Sequence, residues 1–150
     1  MRPRALLDTN VLVYAYDRSE PTKQQQALSL LKSARTLRLG TLSSQVLSEF
    51  YSVATRKIMM PLTPGEARER LQVYASSWPV LPVTGPIVVE ASRGVCERSL
   101  SFWDALLWAT ARLYQLPLIL SEDFPTGSTV EGVTFVDPFA PNFRPESWLG

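Results

Sequence analysis

The chain has 150 residues, of which 45% are hydrophobic and 19% are charged, and this composition predicts one globular domain spanning 1–150. The formal net charge of +1 excludes a general attraction to nucleic acid or to anionic membranes, so such binding would need a local basic patch. The sequence contains no histidine, which excludes catalysis by a histidine base and zinc sites of the HExxH type. Any chemistry must therefore use carboxylates, hydroxyls and cations.

Targeting signals are not apparent in the sequence. The basic start MRPRALLDTN lacks the apolar run of a signal peptide, and no stretch approaches the roughly 20 apolar residues of a membrane span. The single cysteine, Cys96, cannot form an internal disulfide, which suits a reducing compartment. We therefore expect a cytoplasmic protein without a membrane partner.

Short apolar segments alternate with amphipathic ones through the first half of the chain. Residues 5–7 predict a strand that ends at Asp8, and residues 21–38 predict a helix with one apolar side. LRLGTLS predicts a second strand, after which Ser43 or Ser44 caps a helix in SQVLSEFYSVATRKI.

The second half continues the alternation. LTPGEARERLQVYASS predicts a helix with a capping box, in which Thr63 is the cap and Glu66 reaches back to it. VLPVT predicts a third strand, and residues 86–98 predict a helix. SFWDALLWATA predicts another helix, followed by strands at 117–120 and in GVTFV. The tail DPFAPNFRPESWLG is rich in proline and aromatic residues and is predicted to be irregular.

This order predicts an α/β fold with a mostly parallel central sheet flanked by helices. Ligands of such sheets bind outside the carboxyl ends of the strands. Asp8 directly follows the first strand, and Glu49 lies in the second turn of the helix after the second strand. Asp104 lies in the first turn of a helix that leads into a later strand, and Asp123 follows that strand. We therefore expect these four carboxylates to meet at one edge of the sheet.

Each acid also has a purely structural explanation. Asp8 and Asp123 can start turns, and Glu49 can be a solvated helix residue. Asp104 can belong to a capping box with Ser101, although this does not account for its apolar neighbours, among which Trp103 is expected in the core. Four carboxylates at one edge repel one another unless a cation lies between them, and Mg²⁺ prefers oxygen ligands. The combination favours a Mg²⁺ or Mn²⁺ site.

Four segments resemble, in order, the motifs of the PIN-domain ribonucleases. They are LLDTNVLVYAYD, LSEFYSVATRK, SFWDALLWATA and ILSEDFPTG. The size of the chain is most similar to that of the VapC toxins of bacterial and archaeal toxin–antitoxin pairs. The resemblance implies a single PIN-like domain and a Mg²⁺- or Mn²⁺-dependent endoribonuclease that hydrolyses RNA. It also implies a homodimer and an antitoxin protein that blocks the acidic site.

Carried over by position, the resemblance implies an acidic site whose catalytic residues are Asp8, Glu49, Asp104 and Asp123. We expect Asp8, Asp104 and Asp123 to bind the metal, and Glu49 to act through a water molecule or as a base. Two supporting polar positions also match, Asn10 and Ser121. The family often has a basic or neutral residue before the last acid, where this chain has Glu122, so Glu122 is an alternative to the preferred Asp123.

RNA must approach these acids along basic residues, and we predict that Arg56 and Lys57 bind it. Their alternative role is to cap the helix dipole. Two other functions differ in class from a nuclease. A phosphotransferase using Asp8 as nucleophile would resemble the haloacid dehalogenase group, but Asn10 replaces the second aspartate of that motif. A non-catalytic PIN-like module that binds RNA or a partner remains the main alternative.

Overall fold

The computed structural model describes residues 4–149, which are organised around one six-stranded sheet. Its strands are β1 (Ala5–Leu7), β2 (Gly40–Ser43), β3 (Val80–Leu81), β4 (Leu118–Leu120), β5 (Thr129–Val130) and β6 (Val133–Val136). They lie in the order β3-β2-β1-β4-β6-β5. All neighbours are parallel except β5 and β6, which form an antiparallel hairpin. The predicted α/β fold with a mostly parallel sheet is confirmed.

Seven helices lie within the described range. They are α1 (Thr9–Tyr14), α2 (Pro21–Thr36), α3 (Ser44–Arg56), α4 (Pro64–Ser77), α5 (Gly85–Arg98), α6 (Phe102–Leu113) and α7 (Pro145–Leu149). None of them combines the length and the apolar character needed to cross a membrane.

Besides the shorter β2 and β3, of which β2 begins at Gly40 within LRLGTLS and β3 ends at Leu81 within VLPVT, the structure differs from the predicted elements in four places. The helix predicted to reach residue 38 ends at Thr36, because Arg38 has a left-handed φ of 57° that cannot continue it. The segment after Asp8, interpreted as a possible turn, forms α1. The tail predicted to be irregular contains α7, and β5 was not predicted. Helix α7 and strand β5 carry too few residues for a periodic pattern to be visible.

The ends of the elements follow the predicted capping chemistry. Thr63 and Glu66 form the predicted capping box of α4. The Ser43 hydroxyl, and not that of Ser44, accepts a hydrogen bond from Val46 N and starts α3 directly after β2. All residues of β1, β2 and β4 are buried, so helices cover both faces of the sheet. The carboxyl ends of these strands therefore form the edge at which the acids were expected.

The packing of α6 against α5 fixes the position of the Asp104 helix. Trp108 is fully buried against Gly94, and its indole N–H donates to the Val130 carbonyl at 3.0 Å. The Arg93 guanidinium lies 5.5 Å from the Trp108 ring and forms an ion pair with Glu131 at 2.9 Å. These contacts join α5, α6 and the β5–β6 hairpin into one layer.

Gly94→Ala should therefore reduce the free energy of unfolding by about 1–3 kcal/mol. The new Cβ would lie only 2.8 Å from Trp108 Cζ3, and the fully buried indole would have to shift to relieve the contact. Gly85→Ala is the control, because nothing lies within 4 Å of its new Cβ in the same helix. Urea unfolding measures both changes, and equal stabilities of the two variants would contradict this account of the α5–α6 contact.

Candidate active site

The carboxylate of Asp8 is held at the end of β1 by hydrogen bonds to both of its oxygens. Oδ1 accepts from Thr9 N at 2.7 Å, which caps α1, and Oδ2 accepts from the Ser121 hydroxyl at 2.6 Å. The Asp8 amide donates to the Leu120 carbonyl at 3.0 Å. Only 8% of the Asp8 surface is exposed. Asp8 therefore has a structural role as the cap of α1, and the same hydrogen bonds hold a buried carboxylate at the edge of the sheet.

Ser121 connects Asp8 to the second acid of this edge. It is fully buried, and its hydroxyl accepts hydrogen bonds from Asn10 Nδ2 at 3.2 Å and from the Asp123 amide at 3.1 Å. Asn10 Nδ2 also lies 3.4 Å from Asp123 Oδ2. The structure thus brings together Asp8, Asn10, Ser121 and Asp123, the four site residues predicted from the first and last motifs.

Glu49 reaches the same edge from α3. Its Oε2 accepts from the Thr9 hydroxyl at 3.1 Å, and its Oε1 accepts from Gln45 Nε2 at 2.9 Å. Gln45 Nε2 also donates to the Trp103 carbonyl at 3.1 Å, next to the start of α6. Glu49 is therefore fixed by donors on two helices and is not a freely solvated side chain. Thr9 and Gln45 were not predicted, although Gln45 lies one turn before Glu49 on the same face of α3.

Asp104 lies in the first turn of α6 and is partly buried. Ser101 caps the helix by accepting from the Asp104 amide at 3.3 Å. Within residues 4–149 the Ser101 amide does not donate to the Asp104 carboxylate, so this carboxylate takes no part in a capping box. The expectation that Trp103 belongs to the core is wrong, because 64% of its surface is exposed. The first turn of α6 extends beyond the core, and the buried part of the helix begins at Ala105.

The four carboxylates act on one another electrostatically. Burial raises the pKa of Asp8 to about 6 despite the opposing hydrogen bonds from Ser121 and Thr9, and the charges of Asp123 and Glu49 raise it further. The pKa of Asp123 is also raised, first by burial and then by the charges of Glu122 and Asp104. The acids are thus close enough to repel one another, as the sequence predicted.

Glu122 points away from this group. Its Oε1 accepts from the Tyr14 hydroxyl at 2.6 Å, and its Oε2 forms an ion pair with Lys23 at 2.9 Å. Neither Tyr14 nor Lys23 was singled out as a partner of this acid from the sequence, since both contacts span about a hundred residues.

The donor set suits a hard divalent cation. In the described part of the chain no group of three or more Asp, Glu or Cys side chains is placed so that it could hold a metal ion by itself. However, Mg²⁺ usually takes one or two carboxylates and fills its other positions with water. Asn10 Oδ1 is buried at this edge and has no hydrogen-bond partner within residues 4–149. This oxygen is therefore available as a further ligand for a cation. The residues at the site therefore fit Mg²⁺ or Mn²⁺.

The predicted RNA-binding pair lies apart from the acids. Arg56 is in the last turn of α3 and Lys57 is its C-cap, and both are exposed. Seven residues separate Glu49 from Arg56, which corresponds to about 10 Å along the helix axis. Their position also suits the helix-dipole role considered for them.

Comparison with known proteins gives a family match and a set of similar folds. The PIN domain family matches residues 5–124. A toxin–antitoxin complex from Klebsiella pneumoniae contains a chain that is 19% identical, with 89% of this chain and 97% of that chain covered and a TM-score of 0.65. The sarcin-ricin loop cleaving toxin VapC20 of Mycobacterium tuberculosis is 17% identical, with coverages of 77% and 86% and a TM-score of 0.63.

A chain of FitAcB from Neisseria gonorrhoeae is 20% identical, with 90% of this chain and 98% of that chain covered and a TM-score of 0.61. No curated protein matches the sequence significantly. At these identities the solved structures show a shared fold. The family match alone spans most of the chain, including all four predicted acids.

The raised pKa of Asp8 predicts a specific pH dependence. Because the folded-state pKa of about 6 exceeds the ordinary value of 3.8, the contribution of Asp8 to stability is present below about pH 4 and is lost as pH rises through 6. Asp8→Asn removes this titration together with the Oδ2 acceptor of the Ser121 bond, so its effect on the free energy of unfolding of the metal-free protein should be more favourable at pH 7.5 than at pH 4.5 by about 1–3 kcal/mol. Urea unfolding in EDTA at both pH values measures this, with the exposed Glu69→Gln as control. An effect that is independent of pH would contradict the assignment.

Proposed function

We propose, since this chain belongs to the PIN domain family, that it is a divalent-metal-dependent endoribonuclease and the toxin of a toxin–antitoxin pair. The observation that carries the proposal is the linked set of carboxylates at the carboxyl edge of the sheet. Asp8 and Asp123 are joined through Ser121, and Glu49 is joined to Asp8 through Thr9. Asp8 also caps α1, but a cap needs only one acid, and the charges of Asp123 and Glu49 beside it add repulsion that a bound cation would relieve.

Asp8, Asp104 and Asp123 would hold the metal, with Asn10 as a neutral oxygen donor beside them. Asp8 is the best ordered, because Ser121 and Thr9 fix both of its oxygens. When bound, Mg²⁺ or Mn²⁺ supplies a water of lowered pKa and neutralises the charge that develops on the phosphate. Binding would also relieve the repulsion that raises the pKa of Asp8 and of Asp123.

Glu49 is suited to orient the attacking water and to take its proton. Its two oxygens accept from Thr9 and Gln45, which hold the carboxylate in one orientation and leave lone pairs for a water molecule. The proton taken from water and the charge that develops on the phosphate are then both handled by side chains at the same edge of the sheet. A histidine base is not needed, which agrees with the composition.

The proposed partners are an RNA substrate, an antitoxin protein and a second copy of the chain. The support comes from similar folds whose names describe a toxin–antitoxin complex and an RNA-loop-cleaving toxin. A small reading frame next to this gene that encodes a DNA-binding protein would support the antitoxin partnership.

Asp104→Asn and Glu49→Gln should each lower Mn²⁺-dependent cleavage of RNA on the order of 100-fold or more, because each removes a charge or a base used in the reaction. Glu69→Gln removes an exposed acid of α4 and should leave the rate unchanged. Initial rates of cleavage of a labelled single-stranded RNA, with melts in EDTA to verify folding, give the comparison. An active Asp104→Asn variant with lowered stability would mean that Asp104 serves only the start of α6.

The main alternative is a binding module without catalysis, and EDTA distinguishes it from a nuclease. A nuclease loses cleavage in EDTA while RNA binding persists in part. A binding module shows RNA binding, but no cleavage at any Mn²⁺ concentration. The cleavage activity must remain with the protein through a further chromatographic step, because a contaminating metal-dependent ribonuclease would give the result expected for a nuclease.

Replacement of Arg56 and Lys57 by glutamine should weaken RNA binding and reduce the salt dependence of log K by about 1.4 if each contacts one phosphate of a single strand. The double replacement Lys32→Gln and Arg35→Gln on α2 is the control, since it removes the same charge from exposed positions. Fluorescence anisotropy of a labelled RNA at several salt concentrations, in EDTA, measures both slopes. An unchanged slope for Arg56 and Lys57 would assign them to the α3 dipole alone.

A further inference from the structure

We infer that Tyr14 and Lys23 are positioning residues that hold Glu122 away from the metal site and thereby present Asp123 to it. This inference rests on the proposed function, since it concerns which acid of the last motif binds the metal. We call the set Tyr14, Lys23 and Glu122 the Glu122 clamp. It joins α1 and α2 to the segment after β4.

The three residues after β4 are each held by different partners. Ser121 donates its hydroxyl to Asp8, Glu122 accepts from Tyr14 and Lys23, and Asp123 lies beside Asn10. Consecutive side chains in this segment therefore point in different directions. Glu122 and Asp123 cannot both face the cluster while the clamp is closed, which selects Asp123.

The contacts of the clamp are short and mutually supporting. The Tyr14 hydroxyl lies 2.6 Å from Glu122 Oε1 and accepts from Lys23 Nζ at 3.3 Å. Lys23 Nζ lies 2.9 Å from Glu122 Oε2 and 4.9 Å from the centre of the Tyr14 ring. Phe139 packs edge-on against Tyr14 with ring centres 5.0 Å apart, which further restrains the phenol. A solvent-exposed glutamate usually has no fixed partners, whereas both carboxylate oxygens of Glu122 are bound, so its side chain has a defined orientation.

The clamp also lowers the electrostatic cost of a fifth acid near the cluster. The charge of Glu122 already contributes to the repulsion at Asp123, and Lys23 supplies a compensating positive charge on the far side of Glu122. If Glu122 were released, its repulsion of the neighbouring acids would no longer be offset by Lys23, and the segment that carries Asp123 would lose its contacts with α1 and α2. The expected result is displacement of the Asp123 segment from its position beside Asn10.

Lys23→Gln tests this inference because electrostatics and positioning predict opposite results. If Lys23 acted only through its charge, its removal would make the site more negative and Mn²⁺ would bind more tightly. If Lys23 positions the segment, Mn²⁺ should bind about three- to tenfold more weakly, as expected for the loss of one hydrogen bond of ordinary net strength at a partly exposed position. Lys32→Gln is the matched control, because it removes an exposed lysine of the same helix. Tyr14→Phe removes one bond without changing charge and should weaken binding in the same direction.

Titration of each protein with MnCl₂, followed by the electron paramagnetic resonance signal of free Mn²⁺, gives the dissociation constants without RNA or turnover. Melts in EDTA for the same variants separate metal affinity from stability. In a Glu122→Gln background the effect of Lys23→Gln should largely disappear, since both act through the same side chain.

Tighter or unchanged Mn²⁺ binding by Lys23→Gln, or additive effects in the Glu122→Gln background, would overturn the clamp and leave the nuclease proposal intact. No Mn²⁺ binding by the unaltered protein would overturn both. Weaker binding with a non-additive double variant would support the positioning role.

Discussion

The hydrogen bond between the Ser121 hydroxyl and Asp8 is the contact on which the site depends. It joins the ends of two adjacent strands, β1 and β4, through a hydroxyl that is fully buried. Because Ser121 uses its only proton for Asp8, its oxygen is free to accept from Asn10 and from the Asp123 amide. One hydroxyl therefore orients an acid, an amide and the following turn. The parallel sheet makes this possible by bringing sequence-distant strand ends to one edge.

Much of the fold follows from local patterns in the sequence. The strand in residues 5–7, the capping box at Thr63 and the order of strands and helices were predictable, because each depends on neighbours in the chain. α1 was not, since a buried carboxylate capping a six-residue helix and an acid starting a turn have the same local composition. The exposure of Trp103 was missed for a related reason. Periodicity identifies the apolar face of α6 but not where the helix emerges from the core.

The sequence indicated the four acids and the supporting residues Asn10 and Ser121. It did not indicate the other side chains that hold acids at this edge, which are Thr9, Gln45, Tyr14 and Lys23. The strand ends locate Asp8 and Asp123, whereas the choice between Glu122 and Asp123 depends on residues of α1 and α2. Such contacts leave no periodic trace in a single sequence. The layer formed by α5, α6 and the β5–β6 hairpin shows a different use of charge. There Arg93 and Arg112 neutralise Glu90 and Glu131, so that acids are paired with cations and stabilise the structure.

The shortness of α1 has a geometric consequence. Asp8 caps its first residue, and Tyr14, its last residue, holds Glu122, so both ends of a six-residue helix serve the same edge of the sheet. One residue inserted or deleted between them would rotate Tyr14 by about 100° around the helix axis while Asp8 stayed in place. The length of α1 therefore fixes the position of Tyr14 relative to Asp8. The Asp8 cap and the contact of Tyr14 with Glu122 can exist together only while the number of residues between them stays the same.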